Sequence, residues 1–337
     1  MRSSKLALFS LILLVGTNLP AAVEYSFRSD MRHTGQESPG FQYSGALELP
    51  FSYSHSSSRS GTSDGNYLQI EGRFKNSLHY LKSIHDWSTS LFLTESYSMS
   101  PALEDRWIKS KDLLQFESRY LYNFATWSGI YAHARLQSSI FKGLDIHENE
   151  KTYELRNADN SKREELKASE INISEPFLPL FVQENLGLFA TIVHDPRFSL
   201  ETRAAASFRQ NFADGQKVLL EENKDRIIIR DLKSYYQIGP LAGASIGGKI
   251  WEDNISYSIG IDAMWPALQS PAAADRSFVD SLNIEGGGNI GYKLNKWFLL
   301  SYEYSTKRLP DILEKFQQEH AVHLSLNLDW VYSFAQD

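Results

Sequence analysis

The chain has 337 residues, with 41 acidic against 34 basic side chains, a net charge of −7 and no cysteine. The missing cysteine excludes a disulfide framework, thiolate metal sites and a lipid-modified N-terminal cysteine. The mild, dispersed acidity excludes the basic footprint of a nucleic-acid binder.

The first element is "MRSSKLALFSLILLVGTNLPAA". Arg2 and Lys5 precede a short apolar run at 6–16, and Pro20, Ala21 and Ala22 form a cleavage zone. This is the layout of a secretory signal peptide, residues 1–22, with cleavage near Ala22. The run is too short for a membrane-spanning helix, which needs about 20 apolar residues. Residues 23–39 are read as a periplasmic N-terminal segment, with a partial plug or an extra strand as the alternatives.

From residue 40 onward the hydrophobic period is two. "FQYSGALELPFSY" alternates Phe41, Tyr43, Gly45, Leu47, Leu49, Phe51 and Tyr53 with smaller or polar residues. "LLQFESRYLYNF" sets Leu114, Phe116, Tyr120, Tyr122 and Phe124 against Gln115, Glu117, Arg119 and Asn123. "RFSLETRAAASFRQNF" and "AVHLSLNLDWVYSF" repeat the pattern. Such alternation predicts strands with one apolar and one polar face. Twelve segments show it: 40–54, 66–81, 86–99, 111–124, 127–142, 179–193, 197–212, 232–250, 254–265, 279–294, 296–307 and 320–334. They are about twice the usual strand length of about 5–6 residues.

Connections alternate too. Short ones such as "KSIHD", "AT", "HDP", "WED" and "N" follow every second strand. Long polar ones occupy 55–65, 100–110, 143–178, 213–231, 266–278 and 308–319. The 143–178 stretch, with its run of Glu, Lys and Asp, reads as too polar to hold a core. Long strands, dyad alternation and loops gathered at one end together predict a single all-β domain, residues 40–337: a closed, antiparallel, up-and-down transmembrane barrel of about 12 strands. Phe41, Tyr53, Trp87, Trp127, Trp265, Trp297 and Trp330 fall where interfacial aromatic girdles belong. A soluble periplasmic β-protein is the rival fold, and it would need a second sheet to cover the apolar row at Phe198, Leu200, Phe208 and Phe212.

The same parity assigns an inward, lumen-facing row: Glu48, Glu71, Arg73, Lys75, Glu117, Arg119, His133, Arg135, Glu201, Arg203, Arg209, Lys249, Asp262, Glu285, Glu303 and Asp329. Its acids and bases nearly balance, unlike the single dominant sign expected of a strongly selective pore. Glu95 and Glu184 fall on the lipid row, either near an interface or beside a bulge.

The final strand, "VHLSLNLDWVYSF", resembles the C-terminal assembly signal of Gram-negative outer-membrane proteins. Leu326, Leu328, Trp330, Tyr332 and Phe334 carry the resemblance, although "AQD" follows where that pattern ends on the aromatic. The stretches from "YAHARLQSSIF" to "LETRAAASFRQNF" resemble uncharacterised bacterial outer-membrane barrels. The resemblance implies integral outer-membrane location, surroundings of outer-membrane lipid and lipopolysaccharide, and biogenesis through periplasmic chaperones and the barrel-assembly machinery. It implies no activity.

Catalytic signals are weak. His133 and Ser139 share a face but stand six residues apart, about 20 Å along a strand. His323 and Ser325 have a closer spacing, but "NLD" follows them instead of the Asn-Gly expected of an outer-membrane phospholipase. The nine histidines show no H-x-x-x-H or H-E-x-x-H spacing,. "DIHENE" at 145–150 reads as a solvated acidic loop, and "EGGGNIG" lacks the helix of a phosphate loop. No catalytic residue, metal site or cofactor is assigned. The expectation is a porin-like or structural barrel, with a small solute in a narrow lumen. The alternatives are surface binding through the outer loops and a lipid-modifying enzyme.

Overall fold

The computed structural model describes residues 39–56, 65–99, 107–222, 226–251, 254–271 and 277–335. Residues 1–38, where the signal peptide and most of the N-terminal segment are expected, lie outside the described residues, as do the side chains of Tyr53 and Phe334. The strands are β1 (Gly40–Ser56), β2 (Gly65–Lys82), β3 (His85–Met99), β4 (Trp107–Ala125), β5 (Ser128–Ser138), β6 (Gly143–Arg156), β7 (Lys162–Ser174), β8 (Leu180–Asp195) and β9 (Phe198–Phe212). They continue with β10 (Lys217–Glu222), β11 (Arg226–Asp231), β12 (Tyr235–Ile250), β13 (Ile255–Met264), β14 (Leu268–Ser270), β15 (Asn283–Lys293), β16 (Phe298–Leu309) and β17 (Leu313–Ala335). One helical turn, α1 (Phe278–Ser281), precedes β15.

Twelve of these strands close a ring in the order β1-β2-β3-β4-β5-β8-β9-β12-β13-β15-β16-β17, every pair antiparallel. Closure is made by β1 and β17, in register from Gly40↔Ala335 to Phe51↔Leu324. The short β14 adds to the outer end of β12. Even the shortest ring strand, β13, has 10 residues. At about 3.3 Å per residue and a ~40° tilt it rises about 25 Å, the height of an apolar membrane band.

Alternation decides the two faces. Leu186, Leu188 and Ile192 stand out from β8 at 62%, 58% and 59% exposure, while Phe181, Gln183, Asn185 and Phe189 on the opposite parity are buried. Exposed Phe116, Ile130, Ile259, Ile261, Ile290, Leu324 and Leu328 continue the apolar outer belt. A closed ladder that pairs its backbone and turns its apolar rows outward is the construction of an outer-membrane barrel. Exposed Trp127, Trp251, Trp297 and Tyr332 mark the short-turn end, and Trp107, Phe141, Phe177 and Trp265 mark the other. Glu184 is exposed on the lipid row of β8, and Glu95 stands half-buried on the outward parity of β3 beside a bulge opposite Ser96 and Tyr97.

The short turns are built from side-chain caps. Asp195 accepts from Arg197 N at 2.8 Å, and Asn295 accepts from Trp297 N and Phe298 N at 2.8 and 3.0 Å. Close approach explains one glycine well. Gly45 is directly opposite Trp330 in the closing ladder, and a Cβ there would collide with the indole. The Trp330 ring therefore lies across β1 toward Phe74, 6.4 Å between centroids.

Two long connections depart from expectation. Residues 143–174 form the β6–β7 hairpin, and 217–231 form β10–β11. β11 and β6 pair in parallel, giving a four-stranded sheet in the order β10-β11-β6-β7 outside the ring. Its core is Tyr153, Leu155, Ile173, Ile227 and Ile229, all buried. The 143–178 stretch thus does hold a core. Its own apolar residues are too few, and the missing half comes from the distant Ile227 and Ile229. Arg226–Glu154 and Arg163–Asp231 ion pairs join the two hairpins. At the β6–β7 turn, the Ser161 hydroxyl and backbone N–H donate to Asp159 and hold its carboxyl below the usual range.

The 308–319 connection is also shorter than expected. β16 and β17 pair as far as Leu309↔Leu313, so the turn spans only 310–312. The polar "EKFQQEH" stretch is strand, because beyond the membrane a ladder needs no apolar face.

Candidate functional site

Contacts between strands that are not neighbours locate the interior. Arg135 on β5 and Glu285 on β15 are five strand-to-strand steps apart round the ring, yet Arg135 Nη2 donates to Glu285 Oε2 at 2.8 Å. Only a chord through the lumen permits this. The charged groups fall into three tiers.

The outer tier lies within three residues of the outer strand ends, about 10 Å of strand. Arg135 Nη2 also donates to Gln183 Oε1 at 2.6 Å, and Arg209 Nη2 lies 2.7 Å from Glu285 Oε1. Lys307 is directly opposite Glu285 in the β15–β16 ladder. The guanidinium carbons of Arg135 and Arg209 each stand 5.8 Å from the Phe181 ring centre, a cation–π arrangement in a dry setting. Phe181 packs against Leu309 and Ile312, so the 310–312 turn leans over the mouth. Gln237 Nε2 donates to Asp311 Oδ2 and Arg230 Nη2 to Ile312 O, both at 2.6 Å. Since Arg230 belongs to β11, the outer sheet is tied to that turn.

The middle tier centres on Arg73. Its Nε donates to Glu71 Oε1 at 2.5 Å, and Nη1 and Nη2 clasp Glu303 at 2.6 and 3.2 Å. Nη2 is 3.1 Å from His323 Nε2, and Glu48 stands 3.8 Å away. In the third tier Arg203 holds Asp262 bidentately, 2.9 and 2.8 Å, with Glu201 at 3.9 Å. Beside it Leu121, Tyr131 and Phe189 form an inward apolar cluster. Toward the short-turn end His79 and Asp86 meet at 2.9 Å.

The remaining sequence-assigned positions are dispersed. Glu117 accepts from Gln115 Nε2 at 3.0 Å, and His133 Nδ1 lies 3.1 Å from Asn185 Nδ2. Lys75 and Arg119 are half-buried, and Lys249 and Asp329 are exposed. Sequence reasoning missed Lys307, Gln183, Gln237, Asp311 and Phe181. Lys307 shares parity with Glu303 and so was findable. Phe181 was not, because β8 carries apolar residues on both faces.

The hydroxyls of Ser138 and Ser139 donate to the Pro179 and Leu178 carbonyls at 3.2 and 3.0 Å. His323 faces Arg73, and Ser325 is buried two residues along the same strand. In the "DIHENE" segment Asp145 is engaged by His147 at 3.2 Å and by the Tyr153 hydroxyl at 3.0 Å. Among the described residues no group of three or more His, Asp or Glu is arranged to hold a metal ion.

No family model matches the chain, and no curated protein does. Solved structures that it resembles include the translocator domain of the autotransporter NalP from Neisseria meningitidis: TM-score 0.40, 8% identity, covering 87% of this chain and 90% of that one. An outer-membrane channel from Pseudomonas putida F1 gives TM-score 0.40 and 12% identity, covering 90% and 100%. The toluene transporter TbuX from Ralstonia pickettii gives 0.35 and 10%, covering 88% and 90%. The barrel assignment rests on this chain's own strand pairing.

Proposed function

We propose that the chain is a porin-like barrel of a Gram-negative outer membrane, carrying small solutes through a lumen narrowed at its outer mouth. One observation carries this reading: lumen exposure is graded. Below the outer tier Glu303, Glu48, Arg203 and Asp262 are 34%, 18%, 18% and 19% exposed, although Arg73 and Glu71 among them are buried at 4% and 2%; in the outer tier Arg135, Arg209 and Glu285 are 9%, 2% and 4% exposed. A polar interior that water reaches from the periplasmic side and not from the outer side is a pathway with an external constriction. A merely structural barrel has no need of water-exposed charges such as Glu303, Arg203 and Asp262 below a dry mouth.

The sixteen inward positions would line this pathway. Leu326, Leu328, Trp330, Tyr332 and Phe334 would serve as the assembly signal read by the barrel-assembly machinery, after delivery by periplasmic chaperones. The exposed belt would meet outer-membrane lipid and lipopolysaccharide. Planar-bilayer recording from folded protein tests the channel reading: stepwise conductance supports it, and a folded barrel that never conducts contradicts it.

A second reading has its own support. The four-stranded outer sheet has a buried core, so it is a built platform and not slack loop. A surface ligand lost on trimming residues 145–168 would establish that role.

A further inference from the structure

The eight acids and seven bases of the inward row nearly cancel as a whole, but they do not cancel tier by tier. At the outer constriction three cations, Arg135, Arg209 and Lys307, face two carboxylates, Glu285 and Asp311. In the middle tier the sign reverses, with Arg73 among Glu48, Glu71 and Glu303.

The excess cation has an identifiable seat. The Arg209 side chain is fully buried, and its Nε and Nη1 find no hydrogen-bond partner. Its Nη2 approaches Glu285 Oε1 at 2.7 Å without hydrogen-bond alignment, since that oxygen too is left without a partner. Buried guanidinium N–H groups without acceptors carry their full desolvation cost. An oxyanion supplies what is missing, since a planar guanidinium matches a carboxylate or phosphate edge through two parallel bonds. Phe181 provides the apolar roof over both arginines.

We propose that the outer constriction is a subsite for a small free oxyanion, a carboxylate or phosphate, held by Arg209 with Arg135 beside it and covered by the 310–312 turn. This deepens the channel reading by naming the solute class, and it rests on that reading only for how the anion arrives. Glu285 occupies part of the cationic face when the site is empty. The anion competes with it for Arg209.

The test is direct binding of inorganic phosphate to the full-length folded barrel in detergent at low ionic strength. It is read as the phosphate-dependent rise in the heat-modifiability midpoint. Wild type should show a saturable rise. Arg209→Gln should weaken the apparent affinity by about ten- to hundredfold. Glu285→Gln should strengthen it, because a competing carboxylate is gone. Lys296→Gln, in the exposed β15–β16 turn, should leave it unchanged. No saturable effect in wild type would overturn the proposal, as would equal losses in Arg209→Gln and Lys296→Gln. If Arg209→Gln does not fold, Glu285→Gln decides: binding no tighter than wild type overturns the subsite. Phosphate binding without conductance in bilayers would remove the channel reading and leave the subsite standing.

Discussion

Phe181 and Leu309 lie five strands apart round the barrel and pack against each other, with 1% and 3% of their surfaces exposed. This contact draws the β16–β17 turn across the outer mouth and dries the Arg135–Glu285–Arg209 tier beneath it. Because the chain has no native cysteine, a thiol placed at Asn185, inward on β8 below Phe181, reports access to that tier. It should react slowly with an external, membrane-impermeant thiol reagent. Adding Phe181→Ala should speed the reaction severalfold. Equal rates would mean that the turn does not close the mouth.

Barrel closure depends on a missing side chain. Gly45→Val would push Trp330 off β1 and strain the β1–β17 seam. The expected loss is about 1–3 kcal/mol, the usual cost of overpacking, seen as a lower midpoint in urea unfolding. Gly72→Ala, where a new Cβ meets nothing within 4 Å, should be nearly neutral and serves as the comparison.

The outer sheet should fail independently of the barrel. Ile229→Ala empties part of the Tyr153–Leu155–Ile227 core, at a cost of about 2–5 kcal/mol. Limited proteolysis should then cut within 143–174 and 217–231, while the heat-modifiable barrel band persists. Loss of that band would show that the sheet is needed for the barrel itself.

Arg73 holds its strand neighbour Glu71 and, three strand steps round the ring, Glu303. Removing one partner of a buried pair typically costs about 3–5 kcal/mol, because the remaining charge is stranded. Arg73→Met should therefore destabilise more than the double variant Arg73→Met/Glu71→Leu, which strands no carboxylate at Glu71. Equal midpoints for the two in urea unfolding would show that Glu71 is not coupled to Arg73.

Much of this fold was legible because a membrane writes a strict pattern. Strand period, strand length and loop asymmetry each located the twelve ring strands to within a few residues at most ends. β17 extends seven residues earlier than its apolar alternation, since Leu313–His320 lies beyond the belt where nothing selects an apolar face. The outer sheet was illegible for another reason. Its parallel β6–β11 pairing joins segments about 75 residues apart, and no local period records such a partner. In the lumen, parity named the charged row but not its tiers. Depth depends on strand stagger, which a single strand's alternation does not encode. Phe92, Leu121, Tyr131, Phe181 and Phe189 point inward against the polar expectation, and that apolar content helps to narrow the lumen.

Single-channel conductance of wild type beside Phe181→Ala, in symmetrical salt, bears most directly on an aqueous lumen throttled at its outer mouth. The account predicts small steps for wild type and clearly larger ones for Phe181→Ala, with both proteins equally heat-modifiable. Folded barrels with identical conductance, or with none in either, would contradict it.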